Sequence, residues 1–332
     1  MTKQETFRAF ISEPAAGKIQ GTVKQVPVDF LPDHPVTIQV HYSSLNYKDA
    51  LSATGRNNVT RTYPHIPGID AAGTVITDAS GTFSPGDKVI VTGNDLGTNT
   101  SGGFGSRIRV PADWVIALPP SMTLLRSMQI GTAGFTAMYG IKRLQRELIK
   151  PESGPVLVTG ATGGVGSWAV YFLHALGYTV SAATRKTETH DFLSQLGADS
   201  IISSDELMDN SSRALLSREY AGAIETVGGA LLDSVLRRTY AKGAVACCGN
   251  ILGMDLKTNV LPFILRGISL LGIDSAFCVR ELREDIWDTL ADIDFSRVPD
   301  SYHTLIGVKD LPDEIERILN GEQTGRIVIT HK

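Results

Sequence analysis

The 332-residue sequence is poor in cysteine: only Cys247, Cys248 and Cys278 occur, all late in the chain and none in a Cys-x-x-Cys spacing. That excludes a disulfide framework and a four-cysteine zinc lobe, and leaves three buried, reduced thiols as the expectation. Long hydrophobic runs are also missing. The opening MTKQETFRAFISEPAAGK has no uninterrupted apolar stretch, and no later segment approaches the roughly 20 apolar residues of a membrane span. A cytoplasmic protein without membrane contact is expected. Basic clusters are absent as well. Lys and Arg number 31 against 35 Asp and Glu, a formal net charge of -4, and no basic run is interleaved with aromatics, so a nucleic-acid partner is not expected.

What is present is enough apolar material, 42% of the residues, for two cores of ordinary size. The first 125 residues are rich in glycine and proline and carry alternating strands such as VTIQVHYSS. In FSPGDKVIVTG, Pro85-Gly86-Asp87 makes a turn before an apolar strand. This pattern predicts an all-β, barrel-like domain with little helix. From about residue 126 short apolar runs alternate with helical patterns. They run VLVTG, a helix to Gly177, TVSAAT, THDFLSQLG as helix, SII, AGAIETVGG, ALLDSVLRRTY as helix, GAVACCG, and PFILRG leading into ISLLGID. Six strands with crossover helices predict an α/β fold with a doubly wound parallel sheet. GRIVIT, Gly325 to Thr330, reads as one more strand, expected to return to the first domain.

Within VLVTGATGGVGSWAV, the spacing Ala161-x-Gly163-x-x-Gly166 follows a strand and opens a helix. Gly163 and Gly164 let a pyrophosphate approach the backbone, Gly166 lets the helix pack on the strand, and the helix N-terminus offers free N-H groups and a positive dipole. A dinucleotide is the expected ligand; a plain connecting turn is the alternative. About 20 residues further on, where an NAD site places an Asp or Glu for the ribose 2'-hydroxyl, the chain has Thr184, Arg185 and Lys186. Two cations and a hydroxyl suit a 2'-phosphate, so NADPH is expected over NADH unless the pair is only a solvated turn.

A barrel-like domain ahead of a mid-chain dinucleotide fold, with SSLNYKDALSATG, PHIPGIDAAGTV, SPGDKV, GTAGFTAM, VTGATGGVGS and PFILRGISLLGIDS, resembles the medium-chain dehydrogenase/reductases over the whole length. Within them it looks like the zinc-free YhdH/YhfP-type quinone oxidoreductases, the branch that includes acrylyl-CoA reductases. The resemblance implies a GroES-like β-barrel catalytic domain over 1–125, completed by 300–332, and a Rossmann NADPH-binding domain over 126–299. Zinc enzymes of the superfamily carry Cys where Asn46 stands, Gly-His-Glu where this chain has Gly68-Ile69-Asp70, and a further Cys near Gly131. No metal is therefore expected.

Without a Lewis acid to lower an alcohol's pKa, conjugate reduction is the expected chemistry, with hydride passing to the β-carbon of a quinone, an enone or an acrylyl-CoA-like enoyl thioester. The resemblance implies Asn46 and Tyr47 as catalytic residues beside the nicotinamide. The Tyr47 hydroxyl either donates a proton or only packs on the cofactor while solvent serves. It further implies that Thr162, Gly163, Gly164 and Val165 cradle the pyrophosphate and that Thr184, Arg185 and Lys186 hold the 2'-phosphate. Asn250 is then expected near the nicotinamide, with Thr226, Ile273 and Arg326 as further cofactor contacts. Arg326 reads equally as a surface residue. Asp70 is expected to order the PGID turn and Asp49 the helix start after NYK. Arg56 and Arg61 are candidates for meeting CoA phosphates, although Asn58 and Thr62 depart from the more basic pattern of acrylyl-CoA reductases. The rival reading is a non-catalytic NADPH-binding regulator. GISLLGIDS, apolar enough for an edge strand that pairs with its twin, makes a homodimer the expected assembly, against a covered edge in a monomer.

Overall fold

The computed structural model describes residues 5–331. It consists of two compact units. The first is Met1–Thr132 with Ala276–Ala291 and Ser301–Lys332, and the second is Ala133–Ser275 with Asp292–Asp300.

The first unit opens with an antiparallel hairpin, β1 (Thr6–Ala15) and β2 (Lys18–Pro27). Its main sheet uses β3 (Val36–Leu45), β4 (Asp70–Asp78), β5 (Lys88–Thr92), β6 (Arg107–Val110) and β7 (Val115–Ala117). Alternation along β3 turns Val36, Ile38 and Val40 toward Val89, Val91, Ile108 and Val110 in one core. A second core gathers Phe7, Phe10, Leu45, Ala50, Ile66 and Phe104. Burying each large side chain contributes about 1.5–3 kcal/mol. Helix α1 (Tyr47–Thr54) follows β3 directly and ends on Gly55 in the left-handed region. Helix α2 (Leu124–Arg146) is broken at Gly131, which has φ 54° and ψ -163°.

The second unit holds a six-stranded parallel sheet of β8 (Val156–Val158), β9 (Val180–Thr184), β10 (Ser200–Ser203), β11 (Tyr220–Glu225), β12 (Thr239–Cys247) and β13 (Ser269–Gly272). Their order is β10-β9-β8-β11-β12-β13, the doubly wound arrangement expected from the alternation. The connecting helices are α3 (Gly164–Ala175), α4 (His190–Gln195), α5 (Ser204–Leu207), α6 (Gly229–Arg238) and α7 (Leu261–Arg266). β8 and β9 are buried throughout, as strands covered on both faces must be. Residues Asp292–Asp300 join this unit because Phe295 packs edge-on to Trp168 and stacks on Tyr171.

The late part of the chain departs most from the sequence reading. Helix α8 (Arg280–Ala291) groups with the first unit, where the buried Arg283 donates to the carbonyls of Thr92 and Ala276. The tail carries more than one strand. β14 (His303–Gly307), α9 (Leu311–Leu319) and β15 (Arg326–Thr330) form a crossover in which β14 and β15 lie parallel. Leu311 and Ile315, one turn apart, bury the inner face of α9. β15 then pairs antiparallel with β3, bringing Ile327 opposite Leu45.

Candidate active site

In the first unit, the β15–β3 pairing carries Arg326 beneath the start of α1. Its side chain is only 2% exposed, so the surface alternative for Arg326 does not hold. The guanidinium donates through Nε to the Gln129 carbonyl at 3.2 Å and through Nη1 to the Leu45 carbonyl at 3.3 Å and Asn46 Oδ1 at 3.2 Å. Nη2 reaches Ser44 Oγ at 2.8 Å and lies 3.9 Å from Asp70 Oδ2. Burial pulls this arginine below its usual value, while Asp70, Tyr302 and Asp49 hold it up.

Asp70, at the head of β4, is fully buried. Oδ2 accepts from Ser44 Oγ at 2.5 Å, Asn46 Nδ2 at 2.8 Å and Thr132 N at 3.0 Å, and Oδ1 from Thr132 Oγ1 at 2.6 Å. Asp70 therefore does not order the PGID turn as expected; its acceptors are spent deeper in the unit. Asp49 does both jobs. Its Oδ2 caps α1 by accepting from Asn46 N at 2.8 Å, and its Oδ1 accepts from Ile69 N at 2.8 Å within the turn. Burial raises the Asp49 carboxyl to about 7, and the neighbouring Asp70 adds to the rise.

The break at Gly131 makes room for this cluster. A Cβ there would lie 2.6 Å from Asp70 Oδ2, 2.7 Å from Ser44 Oγ and 2.8 Å from Arg326 Nη2. Asn46 is buried with both ends of its amide engaged, whereas Tyr47, the first residue of α1, is 40% exposed. Among the described residues, no group of three or more His, Cys, Asp or Glu side chains is placed to hold a metal ion.

In the second unit, the other residues singled out from sequence lie along the carboxyl edge of the sheet, one strand after another. Thr184 ends β9, with Arg185 and Lys186 just past it; Thr162 to Val165 follow β8; Thr226 follows β11; Asn250 follows β12; Ile273 follows β13. Gly163 is the N-cap of α3 with no side chain bonded at the cap, and a Cβ on it would meet only the Gly160 carbonyl, at 3.4 Å. The helix N-terminus is thus an open cradle whose first N-H groups have no intrahelical partner. Ala161 N donates to the Ala183 carbonyl at 3.1 Å and ties this loop to the end of β9. There the buried Thr184 accepts from Lys186 N at 3.0 Å, shaping a tight turn with Arg185 exposed at its tip. Thr226 donates to the Thr159 carbonyl at 2.8 Å, and Ile273 N donates to the Cys247 carbonyl at 3.0 Å. Asn250 is exposed. This arrangement fits a dinucleotide.

Sequence reasoning missed Ser44, Thr132, Thr159 and Glu225. An acid closing the apolar run AGAIE just before VGG was the available signal for Glu225. The cysteines also differ from expectation. All three are free but only partly buried, and burial pushes the thiols of Cys247 to about 11 and Cys248 to about 12.

Comparison with known proteins agrees with this two-unit architecture. Residues 32–120 match the family model for the alcohol dehydrogenase GroES-like domain, and residues 164–292 match that for zinc-binding dehydrogenases. The acrylyl-CoA reductase AcuI of Ruegeria pomeroyi is 41% identical over 326 residues, covering 97% of this chain and 98% of that protein. The YhdH oxidoreductase from Salmonella enterica, solved in complex with NADP, superposes with TM-score 0.95 at 43% identity, covering 98% and 100% of the two chains. Bacillus subtilis YhfP, solved with NAD bound, gives TM-score 0.92 at 39% identity over 98% and 99%. The chain belongs to the YhdH/YhfP-type quinone oxidoreductase family of the medium-chain dehydrogenase/reductases. The match to the zinc-binding dehydrogenase model covers residues 164–292 and includes none of Asn46, Ile69 and Gly131. An amide, an aliphatic side chain and a glycine stand at Asn46, Ile69 and Gly131, and the amide is already bonded to Asp49, Asp70 and Arg326.

Proposed function

We propose that this protein is an NADPH-dependent, zinc-independent oxidoreductase that reduces a conjugated carbonyl: a quinone, an enone or an acrylyl-CoA-like enoyl thioester. The observation that carries the reading is the closed Asn46–Asp70–Arg326 cluster. It engages Asn46 and Asp70 with one another and with Arg326, while Tyr47, the next residue after Asn46, is exposed. The open N-terminus of α3, with the Thr184–Lys186 turn on the neighbouring strand and no acid in that turn, supports NADPH, as does the NADP complex of YhdH. The names of the relatives support a quinone or an acrylyl thioester as acceptor.

In this reading the first unit carries the catalytic residues and the second holds the cofactor. Thr162 to Val165 receive the pyrophosphate, Arg185 and Lys186 receive the 2'-phosphate, and Thr226, Asn250 and Ile273 line the nicotinamide side. When bound, the reduced nicotinamide supplies the hydride for the β-carbon, leaving negative charge on the carbonyl oxygen. Tyr47 offers a hydroxyl donor to that oxygen, and the N-terminus of α1 adds its dipole. Arg326 acts at one remove, holding Asn46 and Asp70 so that α1 starts at a fixed angle. The exposed Arg56 and Arg61 suit CoA phosphates. The open edge at β13, beside the exposed Ile264 and Leu265 of α7, suits a second copy of this chain.

The test is NADPH oxidation by purified protein, followed by absorbance, with acrylyl-CoA and para-benzoquinone offered separately and NADH as control. Saturable turnover with NADPH is expected, and preference between the acceptors assigns the substrate class. NADPH binding with no turnover on either acceptor or on a simple enone overturns the proposal in favour of a regulator.

A further inference from the structure

Glu225, the last residue of β11, is fully buried, yet the chemistry above gives it no task. Its Oε1 accepts from Thr159 Oγ1 at 3.1 Å, Val227 N at 3.0 Å and Gly228 N at 2.9 Å. Oε2 accepts from Gly228 N at 3.0 Å and from Cys247 Sγ at 3.6 Å. These donors belong to the ends of three adjacent strands, β8, β11 and β12. The carboxylate is therefore the common acceptor for the segments that lead into the glycine loop, into α6, and into the loop that carries Asn250.

The backbone repeats the connection. Thr226 N donates to Thr159 Oγ1 at 2.9 Å, Cys248 N to the Glu225 carbonyl at 3.0 Å and Leu252 N to the Val227 carbonyl at 2.9 Å. The loops approach so closely that a Cβ on Gly249 would fall 1.8 Å from the Thr226 carbonyl oxygen. Such spacing leaves no room for a water-filled or adjustable joint.

We propose that Glu225 is a positioning residue that locks these three loops into one platform, and that the platform, more than the glycine loop alone, fixes the bound dinucleotide. The inference rests on the NADPH reading above. A glycine loop alone is pliable, and a dinucleotide needs its pyrophosphate and nicotinamide held in register at once. Among the described residues no charged donor faces the carboxylate, so each backbone N-H it accepts from is left buried and unpaired if the acceptor is lost.

The experiment measures NADPH affinity by cofactor fluorescence, kcat and KM, and thermal midpoint for the wild type, Glu225→Gln and Thr159→Val. The glutamine keeps the shape but turns one acceptor into a donor facing Gly228 N-H or Cys247 S-H. The expected result is an NADPH Kd raised about tenfold in Glu225→Gln and less in Thr159→Val, with kcat at saturating NADPH falling in the same order because the nicotinamide is no longer held in register. If Glu225→Gln does not fold, Thr159→Val alone decides. A lowered melting temperature with unchanged NADPH affinity in the folded variants overturns the inference and leaves Glu225 merely structural. A wild type that does not bind NADPH overturns the functional reading itself, a result distinct from binding that the variants leave untouched.

Discussion

The two buried acidic sites solve one problem differently. In the first unit, Asp70 and Asp49 are buried side by side and the Arg326 guanidinium is supplied from β15, a strand more than 250 residues away in sequence. In the second unit, no cation lies beside Glu225 among the described residues. Its partners are backbone N-H groups, a threonine hydroxyl and a thiol, and burial raises its carboxyl above the usual value. A cation serves where two carboxylates must share one volume. Dipoles suffice where a single carboxylate joins loops. The first solution ties the C-terminal strand into the site, and the second stays local to one sheet edge.

Arg326→Met removes the cation and leaves both carboxylates buried, an expected loss of about 3–5 kcal/mol in urea unfolding. Glu225→Gln removes a charge without stranding an opposite one, so its loss should be smaller, about 1–3 kcal/mol. Equal losses would break the distinction drawn between the two sites.

The carboxyl of Asp49 sharpens the comparison through pH. Its folded-state pKa, about 7, lies above the ordinary 3.8, so the folded chain binds the extra proton. Its contribution to stability is complete below about pH 4 and is lost as pH rises to about 7, with a slope of up to ~1 kcal/mol per pH unit. Asp49→Asn should flatten that part of the stability profile; a profile of unchanged slope would mean another group titrates there. Tyr47→Phe, at an exposed position, should alter stability by no more than about 0.5 kcal/mol. Turnover should nevertheless fall by about 10²-fold or more if the hydroxyl donates. Near-normal turnover with unchanged NADPH affinity would remove that role.

Much of this was legible in the sequence because it is written in local pattern. The glycine loop, the six parallel strands and the Thr184–Lys186 turn each lie within about a dozen residues, where periodicity and turn chemistry speak directly. The Asp49 cap was legible for the same reason, three residues after Asn46. The bonds of Arg326, Asp70 and Thr132 were not, because their partners lie 24 to 282 residues apart and are brought together only by the tertiary fold. β14 and α9 escaped although LPDEIERIL displays a helical period with Leu311 and Ile315 on one face, because the reading of the tail rests on GRIVIT alone. Glu225 carried a readable sign, but what it holds is visible only once three strand ends stand side by side.

Gly131 has a consequence for which sequences can be reached from this one. A cysteine at that position would drive its Cβ into Asp70, Ser44 and Arg326, at 2.6, 2.7 and 2.8 Å, with φ at 54°, so a thiolate could enter only after the whole cluster has rearranged. Removing the guanidinium first passes through a protein with Asp70 and Asp49 buried and no cation beside them, destabilised by about as much as many domains can spare. On the zinc-independent reading proposed above, a metal-using descendant is separated from this chain by a stability valley rather than by a count of ligand substitutions. Laboratory evolution toward such an enzyme would have to begin from a stabilised background.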